Sequence, residues 1–153
     1  MDVQISRITT FFLLLNIATF TYASELVGNV VLSVGDNYAI NLNGKQRKLV
    51  RNGDLYQNDT ITTSAEGRVH MKLIDDTTIS LKPDTRFRIA TYLFNAEKAE
   101  NNAAFFQLLK GGLRTVSGEI GKLNPKRRRM QTMLATIGIR GTEYELYVCD
   151  AKC

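Results

Sequence analysis

The stretch RVHMKLIDDTTISLK, residues 68–82, constrains the fold more than any other part of the chain. Its side chains alternate, with Val69, Met71 and Leu73 on one face and His70 and Lys72 on the other, and the adjacent pair Asp75-Asp76 divides it into two halves. A period of two suits a half-buried strand and would scatter the same apolar residues around a helix. Two such halves around a short polar break form a hairpin, so this region predicts antiparallel sheet. His70 falls on the outward face, where a surface histidine is expected rather than a catalytic one.

The same grammar recurs along the chain. The run LVGNVVLSV is apolar and β-branched, and NYAINL is joined to KQRKLV by Asn43-Gly44, a strong hairpin signal that predicts a hairpin over 37–50. Asn52-Gly53-Asp54 and Asn58-Asp59 mark further turns, and Pro83 closes the strand before it. In TRFRIATYLF, Phe87 and Ile89 oppose Arg86 and Arg88, again with period two. NAEKAENNAAFFQLL could form a short helix or an exposed loop leading into a strand at Phe105; a loop with at most one helical turn is expected, because Asn101-Asn102 interrupts any apolar stripe. Glycines at 111, 112, 118 and 121 predict tight bends or bulges where strands pack closely. LNPKRRRMQTM is the last break and is expected to be a solvated loop. The fold expected is all-β: a single compact antiparallel sandwich or roll built from hairpins, over residues 24–153.

Residues 1–23 stand apart from that domain. ITTFFLLLNIATF is uncharged and apolar but shorter than the roughly 20 residues that a bilayer span needs, and Thr21 and Ala23 sit where a signal peptidase prefers small residues. The expected reading is a helical signal peptide over 1–23, with an uncleaved anchor or a buried helix as alternatives, and no stable membrane span after cleavage. The cysteines, Cys149 and Cys153, would then meet an oxidising compartment, which favours a disulfide between them. Two free thiols, or half of a metal site, are the alternatives, although His70 is remote and no second cysteine pair exists. The bond would close a very short loop and act as a local clamp on the chain end.

Chemistry-bearing constellations are scarce. A serine hydrolase needs a histidine between nucleophile and acid, and His70 is the only histidine, with no nucleophile elbow in the chain. No glycine-rich phosphate loop is present. Among carboxylates, Asp75-Asp76 reads as turn chemistry, and Glu143 with Glu145 as a solvated sheet face. Catalysis, cofactors and metal are therefore not expected. The net charge of +5 inclines the protein towards acidic partners, and Lys126, Arg127, Arg128 and Arg129 are the candidate contacts for an anionic one. Nucleic acid is not expected, since no aromatics are interleaved with the basic run.

The ending, ATIGIRGTEYELYV, resembles the closing signature of the FecR-type domain family, a V/I-R-G-T run followed by aromatic and apolar residues. Upstream, the "GD" before a threonine-rich strand, the L-x-D-x-T-x-I-x-L-x-P segment and LLKGGLR resemble the body of the same family, so the likeness covers nearly all of 26–153. The best-known members pair a cytoplasmic anti-sigma segment and one membrane span with a periplasmic domain that senses an outer-membrane receptor. The chain shows neither the segment nor room for the span, so direct control of a sigma factor is not expected. The resemblance implies a non-enzymatic interaction module in the periplasm of a Gram-negative bacterium, linked to signalling, with an envelope protein as partner. A cell-wall polymer is the alternative, bound as a carbohydrate or peptidoglycan ligand on tyrosines such as Tyr92, Tyr144 or Tyr147. Gly138, Arg140, Gly141 and Thr142 carry the motif, with a structural role favoured over a binding one: Gly141 for backbone conformation or close approach, Arg140 for hydrogen bonds to carbonyls or a carboxylate.

Overall fold

A computed structural model describes residues 24–139 and 141–148 of the 153-residue chain. The strands are β1 (Leu26–Val34), β2 (Asn37–Ile40), β3 (Gln46–Lys48), β4 (Asp54–Tyr56), β5 (Thr60–Thr63), β6 (Arg68–Leu73), β7 (Thr78–Leu81), β8 (Arg86–Leu93), β9 (Ala103–Val116), β10 (Arg128–Gln131), β11 (Thr136–Gly138) and β12 (Glu143–Val148). They join in one 12-stranded sheet whose main path runs β3-β2-β5-β8-β9-β7-β6-β1-β4. The sheet curls on itself as a half-barrel, so the expected all-β roll is what the chain forms. The signal-peptide segment lies outside the described residues.

β9 is the spine. Its first half pairs with β8 and its second half with β7 and β12, all antiparallel. One strand can serve both halves only by bending between them, and the bend falls at the glycines. Leu109 is an extra residue between the Phe87–Leu108 and Arg86–Lys110 pairs, a β-bulge, and Gly111 follows at φ +77°. A side chain at Gly111 would lie 2.5 Å from Thr85 Oγ1 and 2.7 Å from the Asp84 carbonyl, and one at Gly112 would strike the Tyr147 ring at 2.5 Å. The Thr85 hydroxyl satisfies both backbone groups of Gly112, donating to its carbonyl and accepting from its N–H, each at 3.0 Å.

The expected hairpins form. β2 and β3 pair Tyr38 with Lys48 around Asn43-Gly44, and β6 and β7 pair Val69 with Leu81 around Asp75-Asp76, with Asp76 at φ 63°. Val69, Met71 and Leu73 are buried, as are Phe87 and Ile89, while the alternating His70, Lys72, Arg86 and Arg88 face outward. These inward rows meet Val27, Leu55, Ile79, Phe106, Leu108 and Leu113 in one core, where the Phe87 and Phe106 rings pack 5.6 Å apart. Residues 99–101 form a single 3₁₀ turn within the expected loop.

Two local features depart from the sequence reading. GEIGK was expected to hold bends, but Glu119–Leu123 forms a short helix, α1, that buries Ile120. LNPKRRRM was expected to be a solvated loop. It is a 3₁₀ turn at Pro125–Arg127 followed by β10, which pairs parallel to β9, with Arg129 beside Phe105. The alternation within this basic run sends Arg128 and Met130 inward and Arg129 outward.

Candidate interaction surface

The four basic residues divide according to that alternation. Lys126, Arg127 and Arg129 are exposed, whereas Arg128 is 1% exposed, so Arg128 is withdrawn as a contact for an anionic partner. Its guanidinium donates to Ser117 Oγ, to Thr115 Oγ1 at 3.0 Å, and lies over the Tyr144 ring at 5.6 Å from the centroid. No carboxylate among the described residues pairs with it. Hydroxyl dipoles and a π-face carry the charge instead, an environment that suits a delocalised, weakly hydrated guanidinium better than an ammonium. Burial pushes the Tyr144 hydroxyl up to about 12, against the opposing pull of Arg128.

Ser117 ties this buried arginine to the closing motif. Its hydroxyl accepts from Arg128 and donates to the Gly141 carbonyl at 3.0 Å, and its N–H donates to the Thr142 carbonyl at 2.6 Å. Gly141 has φ +124°, a conformation that L side chains rarely adopt, while nothing lies within 4 Å of where its Cβ would be. Of the two reasons considered for a glycine there, the backbone conformation is the one the geometry supports. Gly138 and Thr142 are exposed, and nothing lies within 4 Å of a side chain built at Gly138. The motif's final strand is fixed to the sheet through β9, from Glu143 beside Val116 to Val148 beside Gly111. Arg140, Cys149 and Cys153 lie outside the described residues.

The face outside this anchor is open. Among the described residues β11 pairs with β10 alone, and its other edge has no strand partner there. A shallow groove beside it is lined by Thr91, Ala103, Phe105, Arg127, Arg129 and Thr136. Beyond it the β10–β11 turn carries Met133 and Leu134, 78% and 91% exposed. The sequence offered only a weak sign of this apolar tip: two large residues in QTMLAT with no alternating partner.

The carboxylates behave structurally. Asp75 is buried and takes hydrogen bonds from the Thr77 N–H and hydroxyl, the Tyr92 hydroxyl and the Ile120 N–H. Turn chemistry was therefore half of its role, and the other half is to join the β6–β7 turn to β8 and α1. Asp76 pairs with Lys72 at 2.8 Å, and Glu143 accepts from Arg114 Nε at 2.5 Å. Glu145 lies 4.0 Å from Lys82. His70 is half-buried with Nδ1 2.6 Å from Ser80 Oγ, in an outward cleft between Arg68 and Arg114. Of the tyrosines considered as sugar platforms, Tyr92 is only 1% exposed and is removed from that list, Tyr144 is half-buried against Arg128, and Tyr147 is 53% exposed. Among the described residues no cluster of histidine, cysteine and carboxylate side chains could hold a metal, and no helix is long and apolar enough to cross a membrane.

Residues 59–153 match the model of the FecR protein family. No curated protein and no solved structure is matched by the chain. The match starts at Asp59, ahead of the second hairpin, and takes in the spine β9, the bend at Gly111-Gly112, the Ser117 anchor and the arginine-glycine-threonine closure. On that span, which is most of its length, the chain belongs to the FecR protein family.

Proposed function

We propose that this chain is an exported, non-enzymatic FecR-domain module that docks on an envelope protein in the periplasm of a Gram-negative bacterium and serves in signalling. In this reading residues 1–23 are a signal peptide and 24–153 the domain. Membership of a family that acts through protein–protein signalling supports the reading, and one observation carries it: the outer edge of β11, unpaired among the described residues, beside a groove with outward Arg127 and Arg129. A free edge offers main-chain hydrogen bonds to an extended segment, and flanking guanidinium groups select an acidic one. The carboxylates considered for catalysis are held in structural bonds or ion pairs, which fits a binding role.

In-cell photocrosslinking from Thr136 on β11, followed by mass spectrometry, tests this. The expected result is one defined envelope protein, captured less when Arg127 and Arg129 are neutralised. Capture of muropeptides from the same position would support the cell-wall reading, for which the exposed Tyr147 ring, with Lys82 at 5.9 Å, is the platform. Capture of abundant bystanders alone, unchanged by neutralisation, would sink both.

A further inference from the structure

The β10–β11 turn combines features that point beyond a protein partner. Met133 and Leu134 stand side by side at its tip, almost fully in solvent, and no apolar side chain among the described residues covers them. Single exposed apolar residues are ordinary, but an adjacent large pair at the end of a projecting turn is not. Part of the backbone beneath them is satisfied within the turn. Thr132 Oγ1 accepts from the Leu134 N–H at 3.2 Å and the Ala135 N–H at 3.1 Å, and the Thr132 N–H donates to the Ala135 carbonyl at 2.8 Å. In water such closure adds little, since water would serve the same groups. In a hydrocarbon boundary it matters, because every unmet N–H entering it carries a penalty.

The charge along this segment of the sequence has one sign. From Ile120 to Thr142 there is no acidic residue, while Lys122, Lys126, Arg127, Arg129 and Arg140 lie in that interval together with the buried Arg128. Arg129 projects outward on the strand leading to the tip, and Arg127 is exposed a little further back. An apolar wedge backed by basic side chains matches a bilayer whose surface is negative, where acyl chains take the wedge and phosphates take the cations. A protein partner fits less well, since two convex side chains offer far less than the roughly 1,000 Å² of a stable protein interface.

We infer that the Met133-Leu134 tip, with Arg127 and Arg129 behind it, is a membrane-docking element that inserts shallowly into an anionic lipid surface. It would hold the domain against a bilayer with the β11 edge still open to a partner. The inference goes beyond the proposed protein docking and does not depend on it.

The chain has no tryptophan, so Leu134→Trp places a single fluorescent reporter at the tip and Asn43→Trp places one in the β2–β3 loop as control. Each variant of the full chain, as isolated from cells, is titrated with phosphatidylcholine vesicles and with vesicles containing about one third phosphatidylglycerol. The expected result is a blue shift of the Leu134→Trp emission with the anionic vesicles alone and none for Asn43→Trp. Adding Arg127→Gln and Arg129→Gln, with an unchanged melting temperature, should weaken that titration about 30-fold, from the contribution of two basic side chains near a charged surface. Met133→Ser with Leu134→Ser should abolish vesicle co-sedimentation while leaving the crosslink from Thr136 intact. An unmoved Leu134→Trp emission, an equal shift in Asn43→Trp, or an equal shift with uncharged vesicles would each overturn the inference. So would co-sedimentation unaffected by the serine pair, which would assign membrane binding to the apolar N-terminal run. Loss of the crosslinked protein with no lipid effect would reassign the tip to that partner.

Discussion

The Tyr92 hydroxyl donates to Asp75 Oδ1 at 2.6 Å and accepts from the Asp75 N–H at 3.1 Å, so one phenol closes both ends of a buried aspartate. Burial first, and then the adjacent Asp75 carboxylate, hold that hydroxyl far above the ordinary tyrosine range, which keeps it a donor at any physiological pH. Through Asp75 the β6–β7 turn, β8 and the start of α1 share one centre.

Tyr92→Phe removes that donor and acceptor without changing the ring. A hydrogen bond to a charged group contributes about 1.5–3 kcal/mol, and the carboxylate left behind is buried, so a loss of stability near the top of that range is expected. Chemical denaturation checks it. A change below about 0.5 kcal/mol would mean that Thr77 and Ile120 suffice to hold Asp75.

The two glycines of the closing motif should respond differently. Gly141 has φ +124° and open space, so Gly141→Val meets no clash but forces a side chain into a rarely allowed conformation, at a cost of about 1–2 kcal/mol. That corresponds to a melting temperature lower by several degrees. Gly138 has no such backbone and nothing within 4 Å of its Cβ position, so Gly138→Ala should leave the melting temperature unchanged. Equal effects of the two substitutions would remove the backbone account of Gly141.

The limits of the sequence are visible in the same region. Alternation was enough to orient Val69, Met71, Leu73, Phe87 and Ile89, because a strand with one buried face writes its register into every second residue. It failed at Lys126–Arg129, where composition suggested a solvated loop and pairing with β9 imposed strand alternation, turning Arg128 inward. Nothing in a run of like charges marks which one will be buried; that depends on Thr115 on β9, Ser117 just past its end and Tyr144 on β12. The Asp75–Tyr92 link was hidden for a related reason, since Asp75 sits at a turn by local pattern and reaches its partners only when the sheet curls. Two of the motif positions singled out from the sequence, Gly138 and Thr142, prove to be exposed, and their neighbour Gly141 is explained by its backbone.

Arg128 tests how a buried charge without a carboxylate is tolerated. Arg128→Met keeps most of the volume and removes the charge, and such replacements are neutral or stabilising when packing is retained, so a change within about 1 kcal/mol is expected. Arg128→Lys keeps the charge but loses the planar fork that reaches both hydroxyls and stacks on Tyr144, and should cost about 1–3 kcal/mol. Thermal unfolding of the two variants gives the order. If lysine is tolerated and methionine is not, the charge itself is required at this position.

Alkaline titration reads the Tyr144 environment directly. Its hydroxyl is raised from 10 to about 12, with burial the main cause, and Tyr92 is raised in the same direction. A raised value means that the folded protein holds the phenolic proton more tightly than the unfolded chain. The associated stability is complete below pH 10, where both states keep the proton, and it is lost as pH rises towards 12, where the unfolded chain alone has released it. For Tyr144 the full loss is about 2.8 kcal/mol, of which roughly 2 kcal/mol is reached by pH 12, since each tenfold difference in proton affinity between the two states is worth about 1.4 kcal/mol. Denaturant midpoints measured at neutral pH, at pH 10 and near pH 12 should therefore be level and then fall. Lysines titrate in the same window, so the comparison that isolates the effect is Tyr144→Phe, whose midpoint should fall less steeply over that interval. A variant whose alkaline slope equals that of the parent protein would mean that Tyr144 ionises as freely in the fold as in the open chain.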